Sequence, residues 1–284
     1  MEKIWKIIDI INWGKDYFAN KDIESPRLNI ELILGKALNC DRVNLYTRYD
    51  LPLQPDELSK IREMVIRRSK HEPLQYILGS TSFMGLEINV NENVLIPRPE
   101  TEELVSLILQ NHNNKKPLKI LDIGTGSGAI AISLAKFLDD SEVLGIDVSD
   151  SAIAVAKHNA VKNGVKNIRF EKKDFLTNCN FSGNWCVLVS NPPYISKKEF
   201  EQSDERELFY EPRVALTDDG DGLLFYRKFA EVFKDMMTSD GRFYLEIAYN
   251  QAADIQEIFE ADYDLQFHKD FAGHLRIVEG CVKK

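Results

Sequence analysis

The chain of 284 residues is poor in cysteine and histidine, lacks a long apolar run and carries no excess of basic charge. Its four cysteines include no CxxC pair and its five histidines show no zinc-ligand spacing, so we expect reduced thiols, a cytoplasmic location and no metal site. No apolar stretch reaches the roughly 18 residues of a membrane span, and charges near the N-terminus argue against a signal peptide. The net charge of -9 argues against broad contact with nucleic-acid phosphates.

The remaining composition is that of an ordinary globular protein. Hydrophobic residues make up 44% and charged residues 29% of the chain, and the sequence shows neither internal repeats nor low-complexity segments. The length allows one large domain or two modest ones with a substantial core.

The first third of the sequence predicts helices. Isoleucines at i, i+3, i+4 and i+7 from Ile4 form one apolar helix face, and Ser25-Pro26 supplies an N-cap and a first-turn proline for a second helix. A third helix is predicted to begin at Asp56, with its basic residues outward. These basic residues indicate a solvated face or, as the alternative, a binding face for an acidic partner: Arg62, Arg67, Arg68 and Lys70.

Between Gly79 and Pro97 the apolar period changes to two residues, which predicts a β-hairpin with its turn at residues 91–93. We interpret this hairpin, residues 79–96, as a joint between two units. Thr101 is predicted to cap the helix that follows, and residues 111–117 are predicted to form a polar loop.

From residue 118 onward predicted strands and helices alternate, which is typical of an α/β fold with a mostly parallel, doubly wound sheet. Seven strands are predicted, at residues 118–123, 142–147, 167–171, 185–190, 241–247, 265–269 and 275–279. Helices are predicted at residues 129–138, 150–163, 223–238 and 251–259. No helix separates the last two strands, so we expect them to form an antiparallel edge pair.

A glycine-rich turn joins the first strand of this sheet to its first helix. Its candidate cofactor-binding residues are Asp122, Gly124, Thr125, Gly126, Ser127 and Gly128. Glycines allow a tight turn and a close approach of the backbone to a ligand. Asp147 ends the next strand roughly 20 residues further on, where a carboxylate accepts hydrogen bonds from ribose hydroxyls. The alternative role for Asp147 is a helix N-cap.

Asp174 and Phe175 follow the third strand at the same edge of the sheet. We expect Asp174 to accept a hydrogen bond from an adenine amino group and Phe175 to pack on the base, with a place in the core as the alternative for Phe175. The predicted ligand therefore carries adenosine. We favour S-adenosyl-L-methionine over NAD, because the Asp122 carboxylate would repel a pyrophosphate but suits a methionyl ammonium group.

The most informative motif is Asn191-Pro192-Pro193-Tyr194, which follows the apolar run at residues 185–190. Prolines fix φ and lack an N–H, so the chain leaves the sheet in a stiff, extended form. The Asn191 amide, the Pro192 carbonyl and the Tyr194 ring are thereby held close together at a strand end, where open α/β sheets bind ligands. This suits a planar, polar substrate with an NH₂ group, either a base or an amide, and Asn191 is expected to border the cofactor as well.

Together these motifs look like those of the Rossmann-like amino-methyltransferases. Over nearly its whole length the chain resembles the peptide-chain-release-factor glutamine methyltransferase family (PrmC/HemK). The other motifs that carry the resemblance are EPLQYILG (residues 72–79), IPRPETE (96–102), EPRVAL (211–216) and DFAG (270–273) followed by Arg276. Ala248 stands where the family usually has glycine, and His274-Leu275 replaces a more polar pair.

The resemblance implies a helical domain at residues 1–78 that docks the release factor, the hairpin joint, and a Rossmann-like class I methyltransferase domain at residues 97–284. It implies methyl transfer from S-adenosyl-L-methionine to the glutamine of the Gly-Gly-Gln loop of bacterial-type peptide chain release factors, giving N5-methylglutamine and S-adenosyl-L-homocysteine. From the chemistry of the motif itself we predict Asn191, Pro192 and Tyr194 as the catalytic residues, and Pro193 completes the substrate site. We expect a monomer that binds neither nucleic acid nor membrane directly.

Two rival interpretations stay open at this point. A nucleic-acid adenine N6-methyltransferase would use the motif at residues 191–194 on a flipped base, but the net acidity and the lack of a sizeable insertion after Tyr194 for target recognition disfavour it. A non-catalytic protein that binds the cofactor or a partner would have no need of an intact motif.

Overall fold

The computed structural model describes residues 4–112, 117–177 and 183–284. Cys179 and most of the polar loop predicted at residues 111–117 lie outside these residues. The chain divides into two compact units. One comprises Met1–Ser80 with the later segment Glu205–Tyr210, and the other comprises Thr81–Asp204 with Glu211–Lys284.

The first unit is helical, as predicted. Its helices are α1 (Ile7–Ala19), α2 (Pro26–Leu38), α3 (Arg42–Thr47), α4 (Pro55–Arg68) and α5 (Leu74–Leu78), and a 3₁₀ helix (Arg206–Tyr210) completes it. The core contains Ile10, Ile11, Phe18, Ile30, Ile33, Leu34, Leu45, Ile61 and Val65. Ile4, which the periodicity placed on α1, precedes this helix and is 73% exposed.

The predicted N-cap Ser25 and first-turn proline Pro26 of α2 are confirmed, although the Ser25 side chain makes no capping bond because its backbone is left-handed, with φ 46°. Arg68 was expected on an outward face, yet it is buried. Its guanidinium donates to Asn29 Oδ1 and Glu207 Oε1, each at 2.6 Å, and to the Glu72 carbonyl at 2.9 Å. Arg68 is therefore a structural residue of the helical unit, whereas Arg62 on the same helix is exposed.

The predicted hairpin is present, but its turn is not at residues 91–93. Strands β1 (Ser80–Phe83) and β2 (Leu86–Asn89) are joined by Met84 and Gly85, whose φ values of 51° and 73° fit a type I′ turn. Residues 91–93 do form a turn, in which the Asn91 side chain accepts from the N–H of Asn93 at 3.0 Å, but it follows β2. The turn residues at 91–93 therefore mark the exit from the hairpin. The hairpin turn itself was missed because Met84 is not a typical turn residue.

The second unit contains the seven-stranded sheet. Its strands are β3 (Lys119–Ile123), β4 (Glu142–Asp147), β5 (Ile168–Lys172), β6 (Trp185–Ser190), β7 (Met237–Glu246), β8 (Tyr263–Lys269) and β9 (Leu275–Val282), in the order β5-β4-β3-β6-β7-β9-β8. The first five strands in this order are parallel, and β9 is antiparallel to both β7 and β8. The predicted α/β fold and antiparallel edge pair are confirmed.

The helices described in this unit pack on the sheet or lie in the connections between its strands. They are α6 (Pro99–His112), α7 (Ala129–Phe137), α8 (Asp150–Lys162), α9 (Lys197–Glu201), α10 (Arg213–Leu216), α11 (Leu224–Met236) and α12 (Ala252–Phe259). One core cluster packs strands of the sheet against α11 and α12. Its aromatic members include Phe229, Phe233, Phe243, Phe259 and Tyr263.

The residues that the structure describes lack two further features. No helix within them combines the length and apolar character needed to cross a membrane. They also contain no group of three or more His, Cys, Asp or Glu side chains arranged to hold a metal ion.

Candidate active site

The carboxyl ends of the parallel strands meet at one edge of the sheet. The strand order reverses at β3, which lies between β4 and β6, and open α/β sheets bind ligands at such a switch point. The register pairs Ile123 with Ser190, and the Ser190 hydroxyl donates to the Ile123 carbonyl at 2.6 Å. The glycine turn after β3 and the motif after β6 therefore start side by side.

The three glycines of the turn have different roles. Gly124, Gly126 and Gly128 all have positive φ, at 74°, 54° and 81°. A Cβ atom at Gly124 or Gly126 would meet no atom within 4 Å, whereas one at Gly128 would lie 2.9 Å from Ile132 and 3.1 Å from Ala156. The first two glycines thus border open space that a ligand can enter, and the third allows α7 and α8 to pack closely.

The polar side chains of the turn are buried. Thr125 donates to Asp122 Oδ2 at 2.7 Å, and the Ser127 carbonyl accepts from Asn159 at 2.9 Å. Asp122 Oδ1 makes no hydrogen bond, although the nearby amide of Ala131 favours the ionised carboxylate. Burial is the largest effect and raises the pKa of Asp122 to about 7. Asp122 therefore supports the turn from within the protein.

Asp147 is half-buried at the end of β4 and faces the glycine turn. Its carboxylate accepts from the N–H of Gly126 and from the N–H of Ser149, each at 2.9 Å. Desolvation raises the pKa of Asp147, and these two backbone bonds oppose that rise. The N-cap of α8 is Ser149, whose hydroxyl accepts from the N–H of Ala152 at 3.2 Å. The alternative role of Asp147 as an N-cap is therefore wrong.

Asp174 and Phe175 follow β5 at the same edge. Asp174 is half-buried and accepts from the N–H of Leu176 at 3.0 Å and from Thr177 Oγ1 at 2.9 Å. The Phe175 ring is 4% exposed, and its centroid lies 5.2 Å from that of Phe229. This burial places the ring in the core, so the expected stacking of Phe175 on adenine finds no support in the geometry.

The motif after β6 has its side chains anchored at this edge. Asn191 Nδ2 donates to Thr101 Oγ1 at 3.1 Å, and the Tyr194 hydroxyl donates to Glu246 Oε1 at 3.3 Å. The Tyr194 carbonyl accepts from Gln251 at 3.0 Å. Pro192 is buried and Pro193 is half-buried. The motif is thus held along its length, and Asn191 and Tyr194 are half-buried beside the switch point.

Glu246 is the last residue of β7 and is 1% exposed. It accepts from Thr101 Oγ1 at 2.6 Å as well as from Tyr194. Burial raises the pKa of Glu246 to about 7, against the opposing effects of the Thr101 bond and of Arg276. Burial also raises the pKa of Tyr194, so its hydroxyl stays protonated.

Known proteins match the chain along both units. The family model described as the PrmC N-terminal domain matches residues 9–79, and that of the methyltransferase small domain matches residues 101–248. A release factor glutamine methyltransferase of Geobacter sulfurreducens is 40% identical over 259 residues, covering 90% of this chain and 89% of that protein. One of Flavobacterium psychrophilum is 41% identical over 269 residues, covering 92% and 93%.

The chain belongs to the release factor glutamine methyltransferase family. The resemblance read from the sequence is thereby confirmed, as is the prediction of a methyltransferase. The crystal structure of a methyltransferase from Pyrococcus furiosus matches the fold, with a TM-score of 0.53 and 20% identity over 71% of this chain and 91% of that one. The class I methyltransferase fold predicted for the second unit is confirmed.

Family motifs that lie far apart in the sequence meet in the second unit. Glu211 of EPRVAL accepts from the N–H of Ile96 at 3.0 Å and forms an ion pair with Arg98, both of IPRPETE. Asp270 of DFAG accepts from the N–H of His274 at 2.8 Å, and its carboxylate lies 3.5 Å from Arg276 Nε. These motifs fix the segments that surround the site.

Sequence reasoning missed two residues of the site. Thr101 was predicted to cap α6, but the helix begins at Pro99, and the buried Thr101 side chain bonds to Asn191 and Glu246 instead. Glu246 was not predicted as a site residue. The signal for it was available, because Glu246 ends a parallel strand at the edge that carries Asp147 and Asn191.

Proposed function

We propose that the protein transfers a methyl group from S-adenosyl-L-methionine to the side-chain amide nitrogen of the glutamine in the Gly-Gly-Gln loop of bacterial-type peptide chain release factors. The products are N5-methylglutamine and S-adenosyl-L-homocysteine. Family membership supports the class of reaction. The observation that supports methyl transfer at this site is the hydrogen bond that holds the Asn191 side chain. Its Nδ2 is engaged by Thr101, so its Oδ1 is left to accept from an NH₂ group.

The residues at the ends of β3, β4 and β5 fit an adenosine-containing cofactor. Open space beside Gly124 and Gly126 accommodates a ligand close to the backbone, and Asp147 offers a carboxylate to ribose hydroxyls. Asp174 is the candidate partner for the adenine amino group. The remaining proposed cofactor residues shape the glycine turn: Asp122, Thr125, Ser127 and Gly128. Asn191 is proposed to border the cofactor as well. S-Adenosyl-L-methionine, when bound, supplies a methyl group activated by its sulfonium.

The protein contributes position to this reaction. An amide nitrogen is a weak nucleophile because its lone pair is delocalised into the carbonyl. In our proposal, Asn191 Oδ1 and the Pro192 carbonyl accept the two N–H bonds of the substrate amide, which orients its nitrogen and stabilises the positive charge that develops on it. Tyr194 packs on the amide plane and excludes water, with Pro193 fixing the path of the backbone. No strong base is needed, because the methylated nitrogen is acidic enough to lose its proton afterwards.

We propose further that the helical unit docks the release factor. The match of residues 9–79 to a domain described for this family supports that role. The monomeric state, the cytoplasmic location and the absence of a direct nucleic-acid partner stay predictions.

A transfer assay tests the proposed function. The protein is incubated with S-adenosyl-L-methionine carrying a labelled methyl group and, separately, with a purified release factor, with its Gln→Ala variant in the Gly-Gly-Gln loop, and with DNA. We expect label on the intact factor alone. Label on DNA, or equal label on both forms of the factor, would contradict the proposal.

A further inference from the structure

Three side chains of the site are linked to one buried carboxylate. Glu246 accepts from Thr101 Oγ1 at 2.6 Å and from the Tyr194 hydroxyl at 3.3 Å. Thr101 Oγ1 in turn accepts from Asn191 Nδ2 at 3.1 Å. Thr101 and Glu246 are 4% and 1% exposed, whereas Asn191 and Tyr194 are half-buried. The chain of bonds therefore runs from the protein interior to the two motif side chains at the site.

The direction of each bond follows from the chemistry of Glu246. An ionised carboxylate only accepts hydrogen bonds, so the single proton of the Thr101 hydroxyl points to Glu246. The lone pairs of Thr101 Oγ1 are then left to accept, and they select the NH₂ end of the Asn191 amide. Oδ1 of Asn191 consequently points away from Thr101, and among the described residues no group donates to it.

We infer that Glu246 and Thr101 are positioning residues for methyl transfer, which together fix the Asn191 amide with its oxygen toward the substrate and hold the Tyr194 hydroxyl. This inference rests on the proposed function, since it assigns the orientation that the substrate amide requires. Without the Thr101 hydroxyl, the Asn191 amide can rotate by half a turn and present its NH₂ group to the substrate N–H bonds. Two donors would then face each other.

The same chain of bonds predicts a pH dependence. Besides Thr101 and Tyr194, the charged groups near the Glu246 carboxylate are Arg276 of β9, which favours ionisation, and Glu100 of α6, which opposes it. The Tyr226 hydroxyl of α11 donates to the Glu246 carbonyl at 2.7 Å. A proton on Glu246 Oε2 turns that oxygen into a donor toward Thr101 Oγ1, so the Thr101 hydroxyl can no longer donate to it and the bond directions that orient Asn191 are lost. Turnover should therefore fall as the pH falls through about 7.

The test compares Thr101→Val with Thr101→Ser in the full-length protein, using a purified release factor as substrate. Valine keeps the shape of threonine without the hydroxyl, whereas serine keeps the hydroxyl. We expect Thr101→Val to lower kcat by roughly 10- to 100-fold, with the KM for the factor and the Kd for S-adenosyl-L-methionine changed by less than about twofold. Thr101→Ser should retain most of the wild-type kcat.

Glu246→Gln supplies the readout that a purely structural role would not change. Wild-type kcat should fall between about pH 8 and about pH 6, and this fall should be absent from Glu246→Gln, whose residual rate is low at both values. An unchanged kcat in Thr101→Val, or a wild-type pH profile in Glu246→Gln, would overturn the inference. As long as the wild-type protein methylates the release factor, the proposed function would still stand. A wild-type protein that methylates no release factor would overturn both.

Discussion

The carboxylate of Asp147 accepts a hydrogen bond from the N–H of Gly126 at 2.9 Å, although the two are 21 positions apart in the sequence. The bond joins the end of β4 to the glycine turn after β3, and Ser149 donates a second backbone bond to the same carboxylate. The proposed ribose-binding residue thus also holds the turn that borders the cofactor site. Removing the carboxylate and filling the space beside the glycine should therefore have separable effects on cofactor binding.

Asp147→Ala should weaken binding of S-adenosyl-L-methionine by about 1.5–3 kcal/mol for each charged hydrogen bond lost. Isothermal titration calorimetry measures this directly. The matched control is Asp150→Ala, because Asp150 is exposed three residues further on and pairs only at the surface, with Lys172. Undiminished affinity in Asp147→Ala, or an equal loss in the control, would remove Asp147 from the ribose site.

Gly126→Ala tests the open space beside the turn. Alanine at a φ of 54° costs about 1–2 kcal/mol of stability, and its Cβ would project into space with no protein atom within 4 Å. Gly164→Ala is the control, with φ 67° and equally empty surroundings away from the site. Both variants should lose similar stability by thermal unfolding, but only Gly126→Ala should bind S-adenosyl-L-methionine more weakly. Equal affinities would show that no ligand enters this space.

Asn191→Ala should lower kcat by roughly 10²–10³-fold, the effect typical of removing one preorganised group that stabilises developing charge. The Kd for S-adenosyl-L-methionine should change little, because the proposed contacts of Asn191 are chiefly to the substrate amide. Single-turnover kinetics and calorimetry separate the two quantities. A variant with wild-type turnover would exclude Asn191 from the chemistry.

Asp122→Asn should change how stability depends on pH. Burial raises the pKa of Asp122 from an ordinary 3.8 to about 7, so between these values the folded protein holds a proton that the unfolded chain has released. The contribution of this proton to the free energy of unfolding is therefore greatest below about pH 4, and it is lost as the pH rises through about 7. At about 1.4 kcal/mol per pH unit, the loss is at most about 4 kcal/mol.

Asparagine cannot titrate, so the wild type should be most stable relative to Asp122→Asn near pH 4 and least stable relative to it near pH 8. Denaturant unfolding of both proteins without cofactor, at several pH values, measures this difference. A difference that stays constant with pH would show that Asp122 titrates normally.

Much of the second unit could be predicted because its signals are local. Alternating strands and helices determine a parallel sheet, and the apolar strands at residues 142–147 and 185–190 have the predicted bounds. Gly126, Asp147 and Asn191 stand at strand ends, so the sheet brings them to one edge whatever the details of the loops.

The errors arose where long-range contacts override local preference. Arg68 has the sequence context of an exposed helical residue, but Glu207, 139 residues later, supplies an ion pair that allows it to be buried. Thr101 looks like a cap, yet its partners Asn191 and Glu246 come from two other strand ends. No local pattern reports such partners.

The central claim is that the methyl group goes to a glutamine side-chain nitrogen, and tandem mass spectrometry of the reacted release factor tests it most directly. The factor is treated with the protein and S-adenosyl-L-methionine, digested, and the peptide that contains the Gly-Gly-Gln loop is fragmented. We predict one added methyl group, located on the glutamine of that loop as N5-methylglutamine. A methyl group on any other residue, or an unmodified loop after prolonged incubation, would contradict the account.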